Sequence, residues 1–180
     1  NPCIGQGIAL SIGRAGGRVI GVGRSSMEVT GSLMAGQGAE FIEVRADLGS
    51  TAAAQAMFDA AWAEYGPIDG LVNNAGIIKR VDAVDFTEDD WDAVMDINLK
   101  TMFFLCQSFG RKALAEGRGG KIVNISSMLS FQGGIRVASY TASKSGVLGI
   151  TRLLANEWAA RGINVNSVAP GYIETNNTEA

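Results

Sequence analysis

Tyr140 and Lys144 stand four residues apart in Ser139-Tyr140-Thr141-Ala142-Ser143-Lys144-Ser145-Gly146. On a helix that spacing puts both side chains on one face, one above the other. A phenol and an ammonium so placed can form an acid–base pair. A free phenol, with a pKa of about 10, is a poor base at neutral pH, and a cation one turn away favours its ionised form. The same text also reads as an ordinary polar helix start, so spacing permits the chemistry without requiring it. The chain contains no histidine. Within this length, Ser-His-Asp and Cys-His nucleophile systems are therefore excluded, and with two cysteines so are the usual zinc sites. Proton transfer must use carboxylate, Tyr, Lys, Ser or water. Cys3 and Cys106 are too few for a disulfide framework, and a buried apolar role suits Cys106.

Elements must bring such groups together, and the chain has the material for them. Its 180 residues suffice for one domain with a sizeable core. Apolar residues at 47% and charged residues at 18% fit a folded protein rather than a disordered one. A net charge of -3 and a pI near 5.0 provide no basic field for nucleic acid or an anionic membrane. No apolar run is long enough to span a bilayer, and no basic n-region precedes an apolar core, so the expected compartment is the cytoplasm.

Short β-branched runs at 18–22, 40–44, 68–72, 121–125 and 163–168 predict strands. Longer helical stretches separate them. Ser50 is placed to cap a helix on which Ala54, Met57, Phe58, Ala61, Trp62 and Tyr65 share a face. Thr87 with Asp90 resembles a capping box, Asn98 to Glu116 continues as helix, and a last helix runs from about Tyr140 to Arg161 with Gly162 to end it. Met102-Phe103-Phe104-Leu105-Cys106 is apolar around the helix and predicts burial on more than one side. Strands alternating with helices imply right-handed crossovers and a parallel sheet. Such sheets bind ligands beyond the carboxyl ends of their strands. Arg24-Ser25-Ser26, Asp47-Leu48, Asn73-Asn74-Ala75-Gly76, Ser126-Ser127 and Pro170-Gly171 all fall there. Gly5-Gln6-Gly7 before Ile8, Ala9, Leu10 and Ile12 reads either as a simple helix start or as the end of a glycine-rich loop. In the second reading, bare N–H groups receive a pyrophosphate.

Taken in order, Asn73-Asn74-Ala75-Gly76, Asn98, Ser127, Tyr140 with Lys144, and Pro170-Gly171 resemble the short-chain dehydrogenases/reductases over essentially the whole chain. The resemblance implies an α/β fold: a Rossmann-like, doubly wound parallel sheet in three α/β/α layers. The expectation is a single NAD(P)-binding domain over 1–180, truncated at both ends, without the first strand, the substrate-covering segment and the last strand. It further implies hydride transfer between a nicotinamide cofactor and a secondary alcohol or ketone. Tyr140 is then the proton donor and acceptor, and Lys144 favours the phenolate and bonds the nicotinamide ribose. Ser127 holds the substrate oxygen, and Asn98 holds a water that links Lys144 to solvent.

By the same resemblance, NAD or NADP would lie against Gly5, Arg24, Ser25, Asp47, Leu48, Asn73, Ala75, Gly76, Tyr140, Lys144, Pro170, Gly171, Ile173 and Thr175. Arg24 is placed to pair with a 2′-phosphate, whereas a carboxylate there would signal NAD. Cys3 stands where the family's loop has its second glycine, and would crowd a phosphate unless its φ stays negative. The segments 127–137 and 169–178 resemble members acting on keto-deoxy sugar acids, which makes a small-molecule sugar acid the expected substrate. Arg136 is the candidate for its carboxylate, with Gln132, Asn176 and Asn177 as weaker hydroxyl contacts. A homodimer or homotetramer is implied, with no nucleic acid, membrane or metal. A 3-oxoacyl or other ketone reductase is the alternative within the class, and a non-catalytic nucleotide-binding or assembly subunit the alternative outside it.

Overall fold

The computed structural model describes residues 3–173. The described residues divide into two units, one of residues 3–48 with residue 173 and one of residues 49–172.

In the first unit, helix α1 (Ile4–Arg14) leads to strand β1 (Val19–Gly23), helix α2 (Glu28–Ala35) and strand β2 (Phe41–Arg45). The strands pair in parallel, with Val19 opposite Phe41 and Gly23 opposite Arg45. Met34 is fully buried between α1 and the start of β2, where α1 comes close because Gly13 has no side chain. A Cβ on Gly13 would lie 2.8 Å from the Met34 methyl and 2.9 Å from Ala39 Cβ, closer than packed carbons allow. Gln6 Nε2 donates to Thr30 Oγ1 at 3.1 Å and ties α1 to α2. Helix α2 escaped the sequence reading, because Gly31 and Thr30 weaken its pattern.

The second unit holds α3 (Thr51–Tyr65), β3 (Gly70–Asn73), α4 (Glu88–Met95), a π-helical segment (Asp96–Thr101), α5 (Met102–Ala115), β4 (Gly120–Ile125), α6 (Leu129–Gln132), α7 (Ala138–Trp158) and β5 (Ile163–Val168). Strands β3, β4 and β5 form a parallel sheet in that order, Gly70 facing Lys121 and Gly120 facing Ile163. All five predicted strands form, each within two residues of its expected ends. They pair in two separate sheets, however, and not in one. The first strand of the expected order, which would be hydrogen-bonded along both edges, is supplied by none of the described residues.

Ser50 caps α3 by accepting from Ala53 N at 3.3 Å, and Thr87 caps α4 by accepting from Asp90 N at 3.2 Å. The Asp90 carboxylate pairs with Lys79 at 2.8 Å. Phe58, Trp62 and Phe109 stack edge-on between α3 and α5, a cluster worth more than its area alone. Met102, Leu105, Cys106 and Phe109 are buried, as the all-round apolar text of α5 required. Along β5, Ile163 and Val165 are buried whereas Asn164, Asn166 and Val168 are exposed. Helix α7 begins at Ala138, two residues earlier than expected, and after a 3-10 turn the helical stretch is ended by Gly162 at φ 80°, a left-handed conformation that favours glycine.

Candidate active site

The carboxyl end of β4 delivers Ile125, Ser126 and Ser127 into a turn that opens α6. Ser127 Oγ accepts from Leu129 N at 3.2 Å, and Ser127 N donates to Ser130 Oγ at 3.3 Å. The serine is thus fixed by a local turn that leaves its hydroxyl proton to be donated elsewhere. After α6 the chain bends through Gly133 at φ 73° and Arg136 at φ 64°. Arginine seldom adopts that region, and here Val81 N holds the Arg136 carbonyl at 2.9 Å. Helix α7 then starts, with Tyr140 in its first turn and Lys144 in the next.

Lys144 is 4% exposed. Its Nζ donates to Ile125 O at 2.6 Å and stands 5.7 Å from the centre of the Tyr140 ring. Burial disfavours the charged form and pulls the Lys144 pKa down to about 8. Cys106 responds to burial in the opposite sense, its thiol pushed up to about 12, which makes it an inert core residue. The hydroxyls of Ser139 and Thr141, on either side of Tyr140, are buried with no hydrogen-bond partner among the described residues.

Asn98 occupies the π-helical segment between α4 and α5 and is 2% exposed. Its amide pairs with the backbone of Ile77 as a strand neighbour would: Oδ1 accepts from Ile77 N and Nδ2 donates to Ile77 O, both at 2.9 Å. The second Nδ2 proton goes to Ser143 Oγ at 3.2 Å, and Ser143 Oγ donates to Tyr140 O at 2.9 Å. Both amide protons are therefore committed to protein. The expected water on the Asn98 side chain can use only a remaining Oδ1 lone pair, and the amide's visible work is to clamp the loop after β3 against α7. Gly76 lies in that loop. A Cβ there would come within 3.1 Å of Asn98 Oδ1 and 3.6 Å of Lys144 Nζ, so glycine keeps the space in front of the ammonium open.

The other expected residues differ in their surroundings. Asn73 points its amide inward, donating to Asn124 Oδ1 at 2.9 Å and Cys106 Sγ at 3.2 Å, so its side chain supports the loop and is not free for a cofactor. Ala75 is exposed, as are Gln132 and Arg136, whose Nε bonds Asp82 Oδ1 at 3.0 Å. Pro170 and Gly171 follow β5, and a Cβ on Gly171 would touch Met128 Sδ at 3.5 Å, so the loops after β4 and β5 run side by side. In the first unit, Arg24 and Ser25 are exposed just past β1, Asp47 and Leu48 follow β2, and Ile173 is exposed. Gly5 lies in the first turn of α1. The first helical hydrogen bond there runs from Gly7 N to Cys3 O, so the N–H groups of Ile4, Gly5 and Gln6 have no partner within the helix. Cys3 keeps φ at -121°, which answers the concern about its side chain. Thr175, Asn176 and Asn177 lie outside the described residues. Sequence reasoning missed Ser143, Ile77 and the Ile125 carbonyl; only the small polar Ser143 beside Lys144 offered a signal, because backbone partners carry none.

The model for the short chain dehydrogenase family matches residues 2–180. The chain belongs to that family. It is 53% identical over 176 residues to the 2-dehydro-3-deoxy-D-gluconate 5-dehydrogenase of Escherichia coli K12, covering 98% of this chain and 70% of that one. The enzyme of the same name from Bacillus subtilis is 49% identical over 179 residues, covering 98% and 69%. The crystal structure, with NADP bound, of an Agrobacterium tumefaciens protein assigned as a 2-deoxy-D-gluconate 3-dehydrogenase superposes with a TM-score of 0.90 at 54% identity, covering 97% of this chain and 69% of that one. As a short-chain dehydrogenase, the protein is an NAD(P)-dependent oxidoreductase acting on a CH–OH group, with a Rossmann-like α/β fold.

Proposed function

We propose that the dehydrogenase interconverts the secondary alcohol and ketone of a keto-deoxy sugar acid of the 2-dehydro-3-deoxy-D-gluconate or 2-deoxy-D-gluconate type. The observation that carries the chemistry is the Tyr140–Lys144 pair, with the ammonium 5.7 Å from the ring and one of its protons fixed on Ile125 O. The sugar acid is supported by the 53% identity to an enzyme of that name.

The residues present fit a nicotinamide cofactor. Two Lys144 donors have no protein acceptor among the described residues, and the missing Cβ of Gly76 leaves room before them, which suits ribose hydroxyls. When bound, the nicotinamide supplies the hydride acceptor or donor. Lys144 would hold its ribose, Pro170, Gly171, Ile173 and Thr175 the carboxamide side, and the open N–H groups at the start of α1 the pyrophosphate. Arg24, Ser25, Asp47, Leu48, Ala75 and Gly76 would line the adenosine part.

The protein's own work is proton transfer and charge control. Negative charge grows on the substrate oxygen as a ketone is reduced, so a donor must stand within hydrogen-bond reach. The Tyr140 hydroxyl gives that proton in reduction and takes it in oxidation. The free Ser127 O–H stabilises the same oxygen. A buried ammonium beside the ring favours the anionic oxygen by charge attraction that surrounding protein screens weakly. Asn98 acts through Ile77 and Ser143, holding the loop and the first turn of α7 in place. Arg136 uses its Nε for Asp82, leaving the terminal amines to receive the sugar carboxylate, with Gln132, Asn176 and Asn177 for hydroxyls. The protein acts in the cytoplasm as a homodimer or homotetramer, a reading supported by family resemblance.

Tyr140→Phe tests the reading. It removes one oxygen atom and leaves the ring packed. Turnover of 2-dehydro-3-deoxy-D-gluconate followed by reduced-cofactor absorbance is expected to fall by about a thousandfold or more in kcat, with thermal stability within ~1 kcal/mol of the parent. A variant that kept its rate would remove Tyr140 from the mechanism.

A further inference from the structure

Beneath the Tyr140–Lys144 pair runs a buried chain of polar side chains to which the mechanism gives no work. Asn73 Nδ2 donates to Asn124 Oδ1 at 2.9 Å, Asn124 Nδ2 donates to Thr151 Oγ1 at 3.0 Å, and Thr151 Oγ1 donates to Val147 O at 2.7 Å. Cys106 Sγ approaches the same Asn124 oxygen at 3.6 Å. Asn124 is wholly buried, and Thr151 is 7% exposed. The chain has one direction, each group donating to the next, and it joins β3, β4, α5 and α7.

Thr151 lies two turns beyond Lys144 on α7, about 10 Å along the axis. Asn124 and Ile125 are adjacent on β4, about 3 Å apart. Helix α7 is therefore tied to β4 at two widely separated points, Lys144 to Ile125 O and Thr151 to Asn124, that converge on neighbouring strand residues. Apolar contacts such as Val147, Leu154 and Ile122 resist separation, yet they are non-directional and tolerate a small slide. Hydrogen bonds lose strength steeply with distance and angle, and a fully satisfied buried network specifies one arrangement.

We propose that Asn124 and Thr151 are positioning residues that set the height of α7 on β4, and with it the place of the Lys144 ammonium beside Tyr140. This rests on the Tyr140–Lys144 reading given above. A misplacement of the order of 1 Å at a reacting pair lowers rate by about a hundredfold.

Three variants of the enzyme decide it, each assayed well below its melting temperature. Thr151→Val keeps the shape and deletes the hydroxyl. Thr151→Ser keeps the hydroxyl and deletes the methyl. Leu154→Ala, one turn along the same buried face, opens a cavity and leaves the tether. For Thr151→Val, kcat is expected to fall about tenfold or more with KM changed less than about threefold, and the acid limb of the oxidation pH profile to move up by about half a unit or more. Thr151→Ser restores both to near the parent. Leu154→Ala is expected to lose at least as much melting temperature as Thr151→Val while keeping kcat and the pH profile. If Thr151→Val does not fold, Thr151→Ala against Thr151→Ser gives the same contrast. Loss of stability with an unmoved pH profile, or equal effects in Leu154→Ala, would overturn the positioning role and leave Thr151 a packing residue. Full activity of Tyr140→Phe in the same assay would instead overturn the catalytic reading and this inference with it.

Discussion

Lys144 is charged at neutral pH although burial opposes its charge, and that opposition has a measurable sign. Its folded pKa, about 8, lies below the ordinary 10.5, so between those values the folded protein binds fewer protons than the unfolded chain. Stability then rises with pH over that window, and the penalty for burying the charge is fully present below pH 8. The gap corresponds to about 3 kcal/mol at most. Measured on the cofactor-free protein, the stability of Lys144→Met relative to the parent is expected to be greatest below pH 8 and to decline towards pH 10. A difference independent of pH would mean that Lys144 is solvated. Arg24 offers a second test at this scale. It is exposed just past β1, where a carboxylate would bond a ribose hydroxyl and a guanidinium would pair with a 2′-phosphate. Arg24→Asp is expected to lower the NADP-to-NAD ratio of kcat/KM by about tenfold or more, because repulsion replaces a charge-assisted bond. An unchanged ratio would free Arg24 of any part in cofactor choice.

At the scale of elements, the junction of α7 with β5 depends on one residue. Gly162 ends the 3-10 turn at φ 80°, and its carbonyl accepts from Gly120 N at 3.1 Å as the β4–β5 ladder begins. A side chain there strains the backbone whatever the space around it. Gly162→Ala is expected to destabilise the protein by about 1 kcal/mol in a denaturant titration, with kcat unchanged, because the fault lies at the far end of α7 from Tyr140. Most elements were legible in the sequence. Strands announced themselves by β-branched runs, and Ser50, Thr87 and Gly162 marked helix ends by residue type. The π-helical segment was not legible, because it arises from Asn98 clasping Ile77, a partner 21 residues away.

Across the whole molecule, the two units differ in how much they bury. Among the described residues, the first has two strands, with every β1 residue only half-buried, and its buried apolar residues are Ala9 and Met34. The second has three strands and the Phe58–Trp62–Phe109 cluster with Ile122, Val147, Leu154 and Ile163. Two-stranded sheets are marginal by themselves, and exchange protection follows buried contacts. In the cofactor-free protein, backbone amides of β1 and β2 are expected to exchange at least about tenfold faster than those of β4. Equal protection would show that the two units open as one. Among the described residues no helix is long and apolar enough to cross a membrane.

Residue type and order alone determined the family, the five strands and most of the helices, and they singled out Tyr140, Lys144 and Ser127 as the candidate set, because each of these rests on local spacing or on a motif. Tertiary structure decided what those groups touch. It placed Asn98 against backbone, turned Asn73 inward, bent Arg136 toward Asp82 and revealed the Asn124–Thr151 tether. The physical reason is that hydrogen-bond partners are chosen by distance and burial in three dimensions, and a buried polar group must find one wherever the fold provides it.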